Sequence, residues 1–135
     1  MSTQSLPVWL PTTDQGVQML PAHRWWDAVR LPGFVGFRVL YRLRCVRGCG
    51  AVVQDQEADT LTWLVRVGAA DGWEAINAEV LRMGVVPVPP ARYCAGTFTG
   101  GASIRWLVPP AGACLTEPGP LRAALCLAHQ ETRRA

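Results

Sequence analysis

Lysine is missing from this chain of 135 residues, and all 13 of its basic residues are arginines. Two readings of that bias stand side by side. Guanidinium makes bidentate and stacked contacts that ammonium cannot, and a GC-rich genome replaces lysine codons with arginine codons. The absence of lysine also removes the phosphate-binding lysine of a P-loop. Histidine occurs twice, as His23 and His129, and asparagine once, as Asn77. Cysteine-nucleophile catalysis needs a positioned imidazole and its orienting partner, so these counts leave it little material. The ten acids are scattered, with no Asp-x-Asp pair for metal-assisted phosphoryl transfer. No complete catalytic constellation emerges, and a non-catalytic role is expected.

Long apolar runs are lacking too. Each is broken by Arg, Gly or Pro well short of the roughly 20 residues that span a membrane. The start, Met1-Ser2-Thr3-Gln4-Ser5, has neither the basic head nor the apolar core of a signal peptide. The five cysteines are an odd number in a chain without a secretion signal. Reduced thiols, a cytoplasmic location and no membrane partner are therefore expected.

Half of the residues are hydrophobic and 17% are charged, with a formal net charge of +3. That composition opposes wholesale disorder, and the charge is too small to announce a nucleic-acid binder by itself. A chain of this length fits one domain over residues 1–135 and buries roughly two-thirds of its unfolded surface.

Residues 1–22 read as an extended, turn-rich segment, because Pro7, Pro11 and Pro21 forbid a helix interior. Its apolar pieces at 8–10 and 17–20 are expected to pair as edge strands. Residues 23–31 read as a strand with Trp25 and Trp26 on opposite sides. A helix is expected over 33–44, where Phe34, Phe37, Leu40 and Tyr41 recur at helical spacing. Strands at 51–54 and 61–67 flank an acidic turn at 55–59. A helical turn follows at 68–73. Apolar runs at 80–83 and 85–88 are separated by Gly84, which suggests a bulge or kink. After a glycine-containing loop at 94–103 comes a strand at 104–108. The last helix, 120–130, should turn Leu121, Leu125 and Ala128 inward. This order predicts an α+β fold, a mixed or mainly antiparallel sheet with two main helices packed on it.

Two motifs carry candidate chemistry. Cys45-x-x-x-Cys49 and Cys126-x-x-His129 supply three thiols and one imidazole, a donor set that zinc takes in closed structural sites. The competing reading is a loop with two thiols and an unrelated buried cysteine. Zinc is the one cofactor the residues suggest, and the reading it supports is a zinc-stabilised structural or protein-interaction module. Thr99-Gly100-Gly101-Ala102-Ser103 offers backbone N–H groups to a phosphate, although the element after it reads as a strand and a flexible hairpin loop is the better account. The six tryptophans, with Arg24, Arg30, Arg66 and Arg105 nearby, raise the prospect of an Arg/Trp sheet face that stacks bases.

Several pieces, in order, resemble a group of small actinobacterial, Streptomyces-type proteins. They include Met19-Leu20-Pro21-Ala22, Trp26-Asp27-Ala28-Val29-Arg30, Gly50-Ala51-Val52-Val53, Thr62-Trp63-Leu64-Val65, Val86-Pro87-Val88-Pro89-Pro90 and Arg105-Trp106-Leu107-Val108-Pro109-Pro110. That group distantly resembles the N-terminal domain of bifunctional DNA primase/polymerases. The resemblance implies an α+β fold and a link to nucleic acid or nucleotides. It does not imply activity: the family's acid pair is missing, and Ser103 stands where its Gly-Gly-x-His stretch would end in histidine. A non-catalytic binding or regulatory domain with a degenerate primase-polymerase-like fold is the resulting expectation, with a nucleic acid, a nucleotide or a protein as partner. The candidate ligand-binding residues are Asp27, Arg30, Arg92, Arg105 and Trp106. Asp27 belongs to an apolar strand, where an unpaired carboxylate is costly to bury. If the Trp25 face meets the core, Asp27 should be held by an arginine or by backbone N–H groups; if the Trp26 face does, it is a solvated strand residue.

Overall fold

The computed structural model describes residues 7–12, 14–44, 49–94, 103–110 and 115–134. The chain forms strands β1 (Gln18–Pro21), β2 (Asp27–Pro32), β3 (Val52–Asp55), β4 (Thr60–Val65), β5 (Glu79–Leu81), β6 (Val85–Val88) and β7 (Ile104–Val108), with helices α1 (Gly33–Leu43) and α2 (Pro118–Arg134). A 3₁₀ turn spans Trp73–Ile76. Five strands form an antiparallel sheet in the order β5-β2-β4-β3-β7, and β1 pairs antiparallel with β6 in a separate ribbon. The fold is α+β with two helices, as the pattern of elements predicts.

The sheet is buried on both faces. Val29, Leu31, Val52, Leu61, Trp63 and Val65 point to one side and pack with Val35, Val39, Leu40 and Leu43 of α1 and Leu121, Ala124, Leu125 and Ala128 of α2. Ala28, Val53, Leu64 and Trp106 point to the other, against Trp9, Trp26 and the ribbon residues Val86 and Val88. Each fully buried Leu or Val contributes about 1.5–3 kcal/mol relative to exposure, so these two clusters dominate stability.

Local chemistry explains the turns. Asp55 Oδ1 accepts from the N–H groups of Glu57 and Ala58, both at 3.1 Å, which folds the β3–β4 turn. Asp59 completes it in the left-handed region at φ 56°. β2 runs directly into α1 through Pro32, and the first helical N–H, that of Gly33, donates to the Asp59 carbonyl at 2.8 Å. A turn thus satisfies a helix donor that has no side-chain cap. Gly36 lets α1 lie close on β4, because a Cβ there would stand 2.9 Å from Leu61 Cδ1 and Cγ.

Several details differ from the sequence-based expectations. Residues 23–26 form a turn rather than the start of a strand: His23 is left-handed at φ 78° and its N–H donates to the Trp26 carbonyl at 2.7 Å. Trp25 and Trp26 consequently pack against the same cluster instead of lying on opposite faces. Residues 8–10 are a turn, and β1 pairs with β6 rather than with them. Of the bulge or kink expected at Gly84, the structure has the kink: at φ 81° the chain bends there from the main sheet into the ribbon. Finally, α1 buries Val35, Gly36, Val39, Leu40 and Leu43, while Phe34, Phe37 and Tyr41 face solvent.

Candidate functional site

Asp27 lies on the helix side of β2, in register with Val65, and is fully buried. Its Oδ2 accepts from the Gly68 N–H at 2.9 Å and its Oδ1 stands 2.8 Å from His23 Nδ1. The holders are therefore a backbone N–H and an imidazole, not an arginine. Asp27 ties two turns, 22–26 and 66–72, to the end of β2.

The other four ligand candidates do not converge on it. Arg30 points to the ribbon side of the sheet and grips Glu79 across strands, with Nε at 2.9 Å from Oε1 and Nη2 at 2.6 Å from Oε2. That bidentate bond raises the Arg30 pKa and holds the Glu79 carboxyl below its usual range. Arg30 and Glu79 line a cavity of about 330 Å³ with Pro32, Asp59 and Asn77. Arg105 Nε donates to Gln54 Oε1 at 2.9 Å on the β7 edge. Arg92 stacks over the Tyr93 ring, 4.6 Å from its centroid. Trp106 is fully buried, and its indole N–H is shared between the Pro89 and Pro90 carbonyls at 3.0 and 3.2 Å. Buried in this way, the ring has no open face on which a base could stack. The expected Arg/Trp sheet face does not form: Trp63 packs with the helices, whereas Trp26 and Trp106 pack on the ribbon side.

Of the metal-ligand candidates, Cys45 lies outside the described residues, as do residues 99–102 of the glycine-rich stretch. Cys49 is half-buried against the helix-side core. Burial pushes its thiol up, offset in part by the Trp63 indole and by Arg44. Cys126 and His129 line one cavity of about 190 Å³ together with Ile76, Asn77 and Gln130. Among the described residues, no group of three or more His, Cys, Asp or Glu side chains is placed to hold a metal ion.

A different constellation gathers between the helices. Phe37, Arg38, Tyr41 and Arg42 of α1 and Glu131 of α2 line a cavity of about 550 Å³, within the size range of small-ligand sites. Arg38 Nη1 donates to Glu131 Oε2 at 3.3 Å and Arg42 Nε to Oε1 at 3.0 Å, with Arg42 Nη2 also on Oε1. The Arg42 bond, foremost, keeps the Glu131 carboxyl below its usual range. Phe37 is 46% exposed and Tyr41 67%. Two guanidiniums four residues apart share a helix face and converge on one carboxylate. Sequence reasoning missed these residues because it used Phe37 and Tyr41 only as markers of helical spacing. The available signal was excess: α1 carries a second apolar set, Val35, Val39 and Leu43, at core spacing, so Phe34, Phe37 and Tyr41 exceed what one buried stripe holds.

The fold and this groove define an α+β domain with an arginine- and aromatic-lined cleft between two helices. Comparison of the chain with protein-family models, with curated proteins and with solved structures finds no match. Among the described residues, no helix is long and apolar enough to cross a membrane.

Proposed function

We propose that this chain is a non-catalytic binding or regulatory domain whose ligand-binding face is the α1–α2 groove. One observation carries the reading: an arginine pair and an aromatic pair occupy the same exposed helix face, around a cavity. Guanidinium groups recognise phosphate and carboxylate, and aromatic faces stack on flat rings. Nucleic acid and nucleotides combine both features, which agrees with the ligand class that the resemblance to primase-polymerases implies. Arg38 and Arg42 thereby take the role the sequence assigned to Arg30, Arg92 and Arg105.

Anisotropy of a labelled single-stranded oligonucleotide and of a labelled nucleotide tests this reading. Association that weakens as salt rises, and that is lost in the Arg38→Ala/Arg42→Ala double variant, is the expected result. No association even at low salt would turn the groove toward a protein partner. Nucleotide transfer or polymer synthesis above background would overturn the non-catalytic assignment.

A second reading, a zinc-stabilised interaction module, draws on the shared cavity of Cys126 and His129. It requires Cys49 to give up a proton that burial holds on it. About one zinc per chain in protein purified without added metal, and unfolding by chelator, are its expected signs. Metal-free protein with an unchanged unfolding transition ends it.

A further inference from the structure

We infer that the α1–α2 groove takes a small aromatic anion, a flat ring joined to a phosphate or carboxylate, and that Glu131 occupies the anion position until that ligand displaces it. This inference rests on the groove being the binding face, and it adds the ligand class and the regulation.

The anion position is marked by the protein itself. Glu131 presents a carboxylate to Arg38 and Arg42 from across the groove, at 3.3 and 3.0 Å. Whatever meets those two guanidiniums in its place must offer acceptor oxygens in the same geometry. Charge favours a ligand anion: among the described residues two guanidiniums face one carboxylate, which leaves positive charge in excess with Glu131 in place and more once it leaves. Leaving is cheap. The Glu131 side chain is 39% exposed and those of Arg38 and Arg42 are 44% and 40% exposed, so all three find water at once. Phe37 and Tyr41, four residues apart on α1, line the same cavity and supply the ring contact. Size limits the ligand. A cavity of about 550 Å³, lined among the described residues by two guanidiniums and two aromatic rings, matches one ring and one anionic group.

Calorimetric titration of the full chain tests the proposal with phenyl phosphate, benzoate, adenosine monophosphate and inorganic phosphate as probes. Phenyl phosphate or benzoate should bind at least about tenfold more tightly than inorganic phosphate, because the ring adds a contact. The tighter of the two identifies the anionic group, and adenosine monophosphate reports whether a base fits as the ring. Glu131→Gln should tighten binding about three- to tenfold, since a neutral amide competes more weakly than a carboxylate for the two guanidiniums. Arg42→Ala should abolish binding. Glu79→Gln, an acid removed from another ion pair, should leave affinity unchanged. An Arg42→Ala variant that still folds, shown by an unchanged circular dichroism spectrum, keeps that loss interpretable. Equal affinity for phenyl phosphate and inorganic phosphate overturns the aromatic-anion assignment. Glu131→Gln binding no tighter than wild type overturns the displacement. If no probe binds but an oligonucleotide does, and Arg42→Ala removes it, the groove is the binding face and this inference is wrong. If nothing binds, this inference falls and the groove turns toward a protein partner.

Discussion

Two carboxylates in this protein are each held by two partners, in opposite surroundings. Asp27 is fully buried, between the Gly68 N–H and His23 Nδ1. Glu131 is held by Arg38 and Arg42 at the surface. A buried acceptor that loses a partner leaves the other group unsatisfied in a dry interior, at a cost of about 1–3 kcal/mol per group. A surface carboxylate that lets go exchanges protein donors for water at almost no cost. The first arrangement therefore suits a fixed fold, and the second suits an exchangeable ligand position. Asp27, singled out from sequence as a ligand-binding residue, sits in the first kind of place. Glu131, which no motif marked, sits in the second.

The sharpest way to break this contrast is to remove each carboxylate. Asp27→Ala strands the Gly68 N–H and leaves the turn at 22–26 without its anchor. A loss of about 2–4 kcal/mol is expected in urea unfolding. Asp27→Asn keeps an acceptor for Gly68 and should lose about half as much. If Asp27→Ala unfolds at the wild-type urea concentration, the buried carboxylate is not a fold anchor.

Gly36→Val probes the side of α1 opposite the groove. Its side chain would collide with Leu61, itself buried, and a β-branched residue adds χ1 strain in a helix. A loss of about 2 kcal/mol is expected, and groove affinity per folded molecule should not change. A variant that binds differently while unfolding normally would show that the two faces of α1 are coupled.

Glu131→Ala should leave the thermal midpoint within about 2 °C of wild type, although it empties the anion position. A shift comparable to that of Asp27→Ala would place Glu131 among the fold-building groups.

The smallest effect concerns acid. Arg30 lowers the Glu79 carboxyl pKa in the folded chain, so the pair adds stability above the ordinary glutamate value of about 4.3 and loses it as pH falls through the lowered value. With Glu79 55% exposed, screening leaves about 0.5 kcal/mol or less. Glu79→Gln should therefore cost that little at pH 7 and nothing near pH 2, measured as the urea midpoint against pH.

Legibility in the sequence followed the range of the interactions. The hairpin at 55–59 could be read because Asp55 bonds N–H groups two and three residues away. The strand at 104–108 ended where Pro109 and Pro110 say it should. The inner residues Leu121, Leu125 and Ala128 of α2 followed from a single clean stripe. The facing of β2 could not be read, because period two chooses a core face only when the other face is wet. Here the ribbon covers the second face, and both sets of side chains are buried. The outer aromatics of α1 misled for a related reason, since periodicity shows that a stripe exists without showing which of two stripes is buried.

Composition, turn chemistry and apolar spacing by themselves determined the α+β class, most of the strands, both helices and the lack of a membrane-spanning helix among the described residues. Those properties depend on residues within about one turn or one hairpin of each other. Only the tertiary structure decided the partners of Asp27, the burial of Trp106 and the meeting of Arg38 and Arg42 with Glu131. Gly68 lies 41 residues from Asp27, Pro89 17 from Trp106, and Glu131 89 from Arg42. Contacts across such separations are set by how the helices and the ribbon close on the sheet, and no local pattern encodes that closure.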